Sequence, residues 1–165
     1  MNLTAWFAMR SRREVAAVFL VALFIRVGYM WHQGPLPPLI GDAGEYHSFA
    51  TNLLSTGRYT GVHGEQASRM PGYPLFLAFV YALFGESVRA VQWTQCLIGA
   101  LSCVLMYGLA AELLAAPWPL FCGLAGAVYY DLYSTCPFIW SECLYSFFLV
   151  LSARWLFKSG WPPTR

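Results

Sequence analysis

The chain has 165 residues, of which 58% are hydrophobic and 11% charged, with a mean hydropathy of +0.51 and a formal charge of +2. Soluble domains carry about 25% charged residues, so the composition argues against a globular cytosolic protein; 18% aromatic content excludes a disordered one. A charge of +2 with no basic stripe also leaves nothing to bind nucleic acid.

The chain opens with an Arg-rich leader, residues 1–14, holding Arg10, Arg12 and Arg13. A first span is expected over 15–33. Arg26 interrupts it and no small-residue cleavage site follows, so it reads as an uncleaved anchor rather than a signal peptide. Arg26 is expected to snorkel, with Tyr29 and Trp31 at the outer interface. Gly34-Pro35-Leu36-Pro37-Pro38 stops this helix, and a loop of residues 34–88 follows.

Further spans are expected over 89–115, 117–133 and 137–157, with a tail over 158–165. Four spans place both Arg/Lys-rich ends on one side, which the positive-inside rule makes cytoplasmic. The long loop then lies outside, periplasmic or extracellular. The expected fold is therefore a single all-α integral membrane domain with about four transmembrane helices, set in a bacterial inner (plasma) membrane. Within the loop, Leu75–Phe84 is too short to span and is read as an interfacial or re-entrant helix. The five cysteines fall in apolar stretches without a C-x-x-C pair and read as small hydrophobes. Gln92 and Gln95 are expected to hydrogen-bond neighbouring helices, and Glu112 to be exposed.

Loops this long are usually functional. Tyr46, Phe49, Ala50, Leu53 and Leu54 recur at helical spacing, giving an amphipathic helix ended by Gly57. Asp42 followed by Glu45 resembles a capping box at its start. A carboxylate fixed at a helix start is also placed for chemistry, with Glu45 serving mainly the helix and only secondarily catalysis. Arg69, ahead of the rigid Pro71–Pro74 turn, suits a phosphate, with Arg58 as a minor helper. Tyr46, Tyr59 and Tyr73 are candidates to stack on a sugar or lipid headgroup. Asp131 and Glu142 bracket the outer ends of spans three and four as further acids, Glu142 the better placed. No cofactor is required; a divalent metal has one option, Asp42, Glu45 and His47, whose spacing matches no established metal motif. His32 reads as an interface residue.

The order of these features is Gly-Asp-x-x-Glu-Tyr opening an outer loop, then Arg69-Met70-Pro71-Gly72-Tyr73-Pro74-Leu75-Phe76, Phe84-Gly85, and Gln95 in the next span. It resembles the N-terminal part of polytopic GT-C glycosyltransferases. The match lies with the family 39 group of dolichyl- or undecaprenyl-phosphate-sugar transferases, which includes protein mannosyltransferases and the lipid A aminoarabinose transferase. The resemblance covers about Arg10 to Arg154. It implies transfer of a sugar from a polyprenyl-phosphate donor to a lipid, glycan or protein acceptor on the outer membrane face. Asp42 matches the acid of the first outer loop, and Arg69 the basic residue on the donor phosphate. Asp131 or Glu142 matches a further acid. Such proteins have more spans than this chain, so it is expected to be an N-terminal portion or to work with further membrane subunits. The alternatives are a non-catalytic subunit or truncated transferase that binds lipid-linked sugar or a partner and, more remotely, a small transporter. A transporter predicts charges in mid-span, whereas these are read near span ends.

Overall fold

The computed structural model describes residues 3–34, 38–66 and 68–159, with side chains from residue 11 onward; the Arg10 side chain and most of the tail lie outside this set. The described residues form seven helices: α1 (Leu3–His32), α2 (Asp42–Thr56), α3 (Gly72–Phe84), α4 (Val88–Leu113), α5 (Trp118–Val128), α6 (Tyr130–Ser134) and α7 (Glu142–Lys158). Their only strand-like pairing is a bridge between Thr60 and Gln66, so the all-α expectation holds.

Helix α4 is the hub and packs against α1, α3, α5 and α7. It starts at Ser87, whose hydroxyl accepts the Ala90 amide at 3.3 Å. Val18 and Ala22 of α1, Ala100, Cys103 and Tyr107 of α4, and Ala127 of α5 form one core. A second core joins α2 and α3 to the start of α4 through Ala50, Leu77, Val80, Tyr81 and Val91, with Ile139 closing it. Between them sits a smaller cluster of Met30, Cys96, Cys136 and Cys143. The five thiols are free, and all but Cys122 are buried.

Two helical stretches are long and apolar enough to cross a membrane: Ser11–His32 of α1 and the whole of α4. The leader is not separate from the first of these. No glycine or proline interrupts residues 3–27, and the helix runs on unbroken from Leu3. The segment expected as span three divides instead into α5 and the five-residue α6, parted at Tyr129, whose backbone is extended (φ −69°, ψ 120°). Helix α7 begins at Glu142 rather than near 137. Pro137 disfavours helix in the residue before it. The carbonyls of residues 136–138 turn instead to α4: Gln95 Nε2 donates to those of Cys136 (2.8 Å) and Phe138 (2.6 Å), and Gln92 Nε2 to that of Pro137 (2.7 Å). Gln92 thus binds a loop rather than a neighbouring helix, whereas Gln95 binds that loop and also accepts from Tyr73 of α3, as expected.

One charged residue departs from expectation. Arg26 does not snorkel. It is fully buried, donating to the carbonyls of Ala22 (3.1 Å) and Leu132 (3.3 Å). Glu112 is exposed as expected, and it also accepts from Arg154 at 3.2 Å and lies 3.9 Å from Lys158, tying the end of α4 to α7.

Candidate functional site

The site grows from the first turn of α2. Gly41 precedes it, and Asp42 and Glu45 stand three residues apart on one helix face. Two carboxylates in a first turn also suit the positive end of the helix dipole. The capping-box reading fails, because neither carboxylate caps a backbone amide of α2. Both turn to Arg69: Nη2 donates to Asp42 Oδ1 at 2.5 Å and Nε to Glu45 Oε2 at 2.6 Å. Two acids prefer one guanidinium to backbone amides because charge-assisted bonds are roughly twice as strong as neutral ones.

The rest of the loop is folded so as to deliver Arg69. Gly57 ends α2 in the left-handed conformation (φ 70°), its amide closing on the Leu53 carbonyl at 3.0 Å. Asn52 then donates to the carbonyls of Thr60 and Gly61, pinning the returning chain to α2. Tyr59 packs on Phe49, with ring centres 4.5 Å apart, and donates its hydroxyl to the Arg69 carbonyl at 2.9 Å. The guanidinium lies over the Tyr46 ring, 5.6 Å from its centre. Arg69 is therefore held at its backbone, on its face and at two of its five donors, and its remaining N–H groups have no partner among the described residues. Its bond to Glu45 holds that carboxyl below the ordinary carboxylate range, and the two acids hold the guanidinium above its own.

A cleft of about 340 Å³ opens beside this cluster, lined by Ile40, Asp42, Ala43, Tyr46, Trp140, Ser141 and Glu142. It brings Asp42 of α2 together with Glu142, the first residue of α7, a hundred residues later. The link between these walls is a ring contact followed by hydrogen bonds. Tyr46 meets Tyr73 edge to face at 4.9 Å, and the Tyr73 hydroxyl donates to Gln95 Oε1 at 2.6 Å. Gln95 in turn holds the loop that leads to Trp140 and Glu142. Trp140 stacks on Phe138 with ring centres 4.9 Å apart.

Of the residues singled out in sequence, Asp42, Glu45, Tyr46, Arg69 and Glu142 come together here. Tyr73 does not face the cleft: it is buried against α4, so its ring supports the site and is closed to a sugar. Arg58 is exposed on the loop after Gly57, with its amide on Thr56 Oγ1. Asp131 is exposed on α6 and is not part of the cleft lining; it bonds its neighbour Tyr129. The metal option fails. His47 points to α3, its Nδ1 3.0 Å from the Tyr81 hydroxyl and its Nε2 3.1 Å from Glu86. Among the described residues no group of three His, Cys, Asp or Glu side chains is placed to hold a metal ion. Burial and then the Glu86 charge push the Tyr81 hydroxyl up to about 12. Trp140 was missed in sequence, although its place directly before Ser141-Glu142 was a usable signal.

A cleft lined by two carboxylates, two aromatic rings and a neighbouring guanidinium can accept hydrogen bonds from hydroxyls, stack against a sugar face and offer N–H groups to an anion. The chain matches no protein-family model, no curated protein and no solved structure.

Proposed function

We propose that the protein transfers a sugar from a polyprenyl-phosphate donor to a lipid, glycan or protein hydroxyl on the outer face of a bacterial plasma membrane, alone or with further membrane subunits. In this reading α1, α4, the α5–α6 pair and α7 make four crossings with cytoplasmic ends, and the loop bearing α2 and α3 lies outside. Leu75, Phe79 and Leu83 support it: they form an exposed apolar stripe at helical spacing along α3, suited to lying in the membrane interface.

The observation that carries the proposal is that Asp42 and Glu142 line one cleft while Arg69 pairs with Asp42 beside it. Asp42 accepts the proton of the acceptor hydroxyl as its oxygen attacks the anomeric carbon. The bond from that carbon to the phosphate oxygen breaks, and the departing phosphate keeps the electron pair. Arg69 offers its remaining N–H groups to the phosphate. Glu45 keeps the guanidinium oriented while Asp42 works, because the two acids hold different nitrogens of it. Tyr46 and Trp140 bound the sugar, and Glu142 takes hydrogen bonds from its hydroxyls.

The test is transfer from a radiolabelled polyprenyl-phosphate sugar in proteoliposomes. Asp42→Asn is expected to lower turnover by about a hundredfold or more while retaining donor. Arg69→Ala is expected to lose donor binding as well. Equal turnover in the native chain and Asp42→Asn would sink the catalytic role. Donor binding without transfer by the native chain moves the reading to a lipid-linked-sugar binding subunit.

A further inference from the structure

The buried Arg26 is surrounded by thiols. Nη2 donates to Cys103 Sγ at 3.4 Å, and Nε is buried without a hydrogen-bond partner. That nitrogen and Cys136 Sγ converge on Gly99: a Cβ there would lie 2.6 Å from the first and 2.9 Å from the second. Only a residue without a side chain leaves the room in which arginine and thiol approach. Cys136 Sγ in turn lies 3.6 Å from Cys143 Sγ, whose thiol also reaches the Gln95 carbonyl at 3.2 Å. Every carboxylate ion pair among the described residues belongs to another cation than Arg26. The groups facing Cys136 are Arg26 from α1, Cys96 and Cys103 from α4, and Cys143 from α7.

A guanidinium beside a thiol favours the thiolate, which is the nucleophilic form, and a second thiol in reach makes the pair convertible to a disulfide. We propose that Cys136 and Cys143 form a peroxide-oxidisable dithiol, in which Arg26 activates Cys136 and Cys143 resolves it. The Cys136 thiolate attacks a peroxide oxygen: an S–O bond forms, the O–O bond breaks, and hydroxide leaves, taking up the proton Cys136 released. The Cys143 sulfur then attacks the sulfenic sulfur. The S–S bond forms, the S–O bond breaks, and water leaves with the Cys143 proton. Two thiols lose two electrons, and one peroxide becomes two waters. The sulfurs need close only from 3.6 Å to about 2.05 Å. The bond would tie the loop after α6 to the first turn of α7, next to Glu142 at the cleft.

The full chain in lipid nanodiscs, treated with hydrogen peroxide, decides the matter by maleimide counting and mass spectrometry. The expected product has lost two hydrogens, with Cys136 and Cys143 blocked and Cys96, Cys103 and Cys122 still free. Cys143→Ser should leave a sulfenic acid on Cys136 that dimedone traps, and Cys136→Ser should leave Cys143 reduced. Arg26→Gln should slow oxidation about tenfold and Arg26→Lys much less, as expected if the charge sets the thiolate fraction. Should the Arg26 variants fail to fold, the native chain is sufficient: the pair must oxidise faster when folded than in SDS, and faster than Cys122. Oxidation at Cys122 first, or equal rates at all five thiols, overturns the proposal. So does an unchanged rate in a folded Arg26→Gln.

Discussion

Two arginines in this chain have opposite surroundings, and the contrast separates surface chemistry from core architecture. Arg69 is 28% exposed and pairs with two carboxylates that are themselves partly in water. Arg26 is wholly buried and has carbonyls and sulfurs where carboxylates would be expected. Water screens the first cluster, so its ion pairs contribute little to folding and leave the guanidinium able to exchange partners. The second has no solvent to fall back on, so its neighbours must stay where they are. Gln95 belongs to the same interior. It joins α3, α4 and the loop before α7 through three hydrogen bonds, and the cleft takes its second wall from that connection.

The largest break in this comparison should come from Gln95→Leu. The change orphans the buried Tyr73 hydroxyl and the Cys136 carbonyl, and leaves the Phe138 carbonyl with the Trp140 amide alone. At about 1–3 kcal/mol for each unsatisfied group, the loss should be several kcal/mol, read as a fall in the unfolding midpoint in detergent. Loss of the cleft should follow, seen as proteolytic opening of residues 135–142. An unchanged midpoint would mean that the interior is not the rigid partner in this pair.

A smaller, local effect is expected in acid at the outer cluster. Glu45 titrates below its usual value of 4.5 because Arg69 favours its charged form. Its contribution is therefore fully present above about 4.5 and is lost as pH falls through the lower folded value. Hydrogen exchange around residues 58–70 should quicken there, while α1 and α4 stay protected. Glu45→Gln should abolish that dependence. Uniform loosening of both regions would contradict the division.

The smallest effect should be Glu112→Gln. It removes the negative charge facing Arg154 and Lys158 at the far end of α4, in a partly exposed cluster, costing less than about 1 kcal/mol by the same midpoint measurement. The cleft should not register it.

Much of the outer site was legible along the chain because its members are local. Asp42, Glu45 and Tyr46 share one helical turn and a half, and Gly57 marks where that helix stops. Arg69 stands out as a cation set against two prolines. Their roles were less legible: a first-turn carboxylate looks like a cap until a stronger donor from elsewhere is known to reach it. Tyr73 misled for a similar reason, since an aromatic residue beside a proline turn is equally suited to a surface or a core.

The sequence by itself determined an all-helical chain, the first two of its four expected spans as helices long and apolar enough to cross a membrane, and the helical face that carries Asp42, Glu45 and Tyr46, because hydrophobic period, length and stop signals are properties of neighbours. Only the tertiary structure decided that Arg26 turns inward, that Glu142 meets Asp42 across a cleft, and that Cys136 and Cys143 lie 3.6 Å apart beside Gly99. These depend on where α4 places its glutamines and its glycine against distant loops, and such contacts leave no periodic trace in the chain.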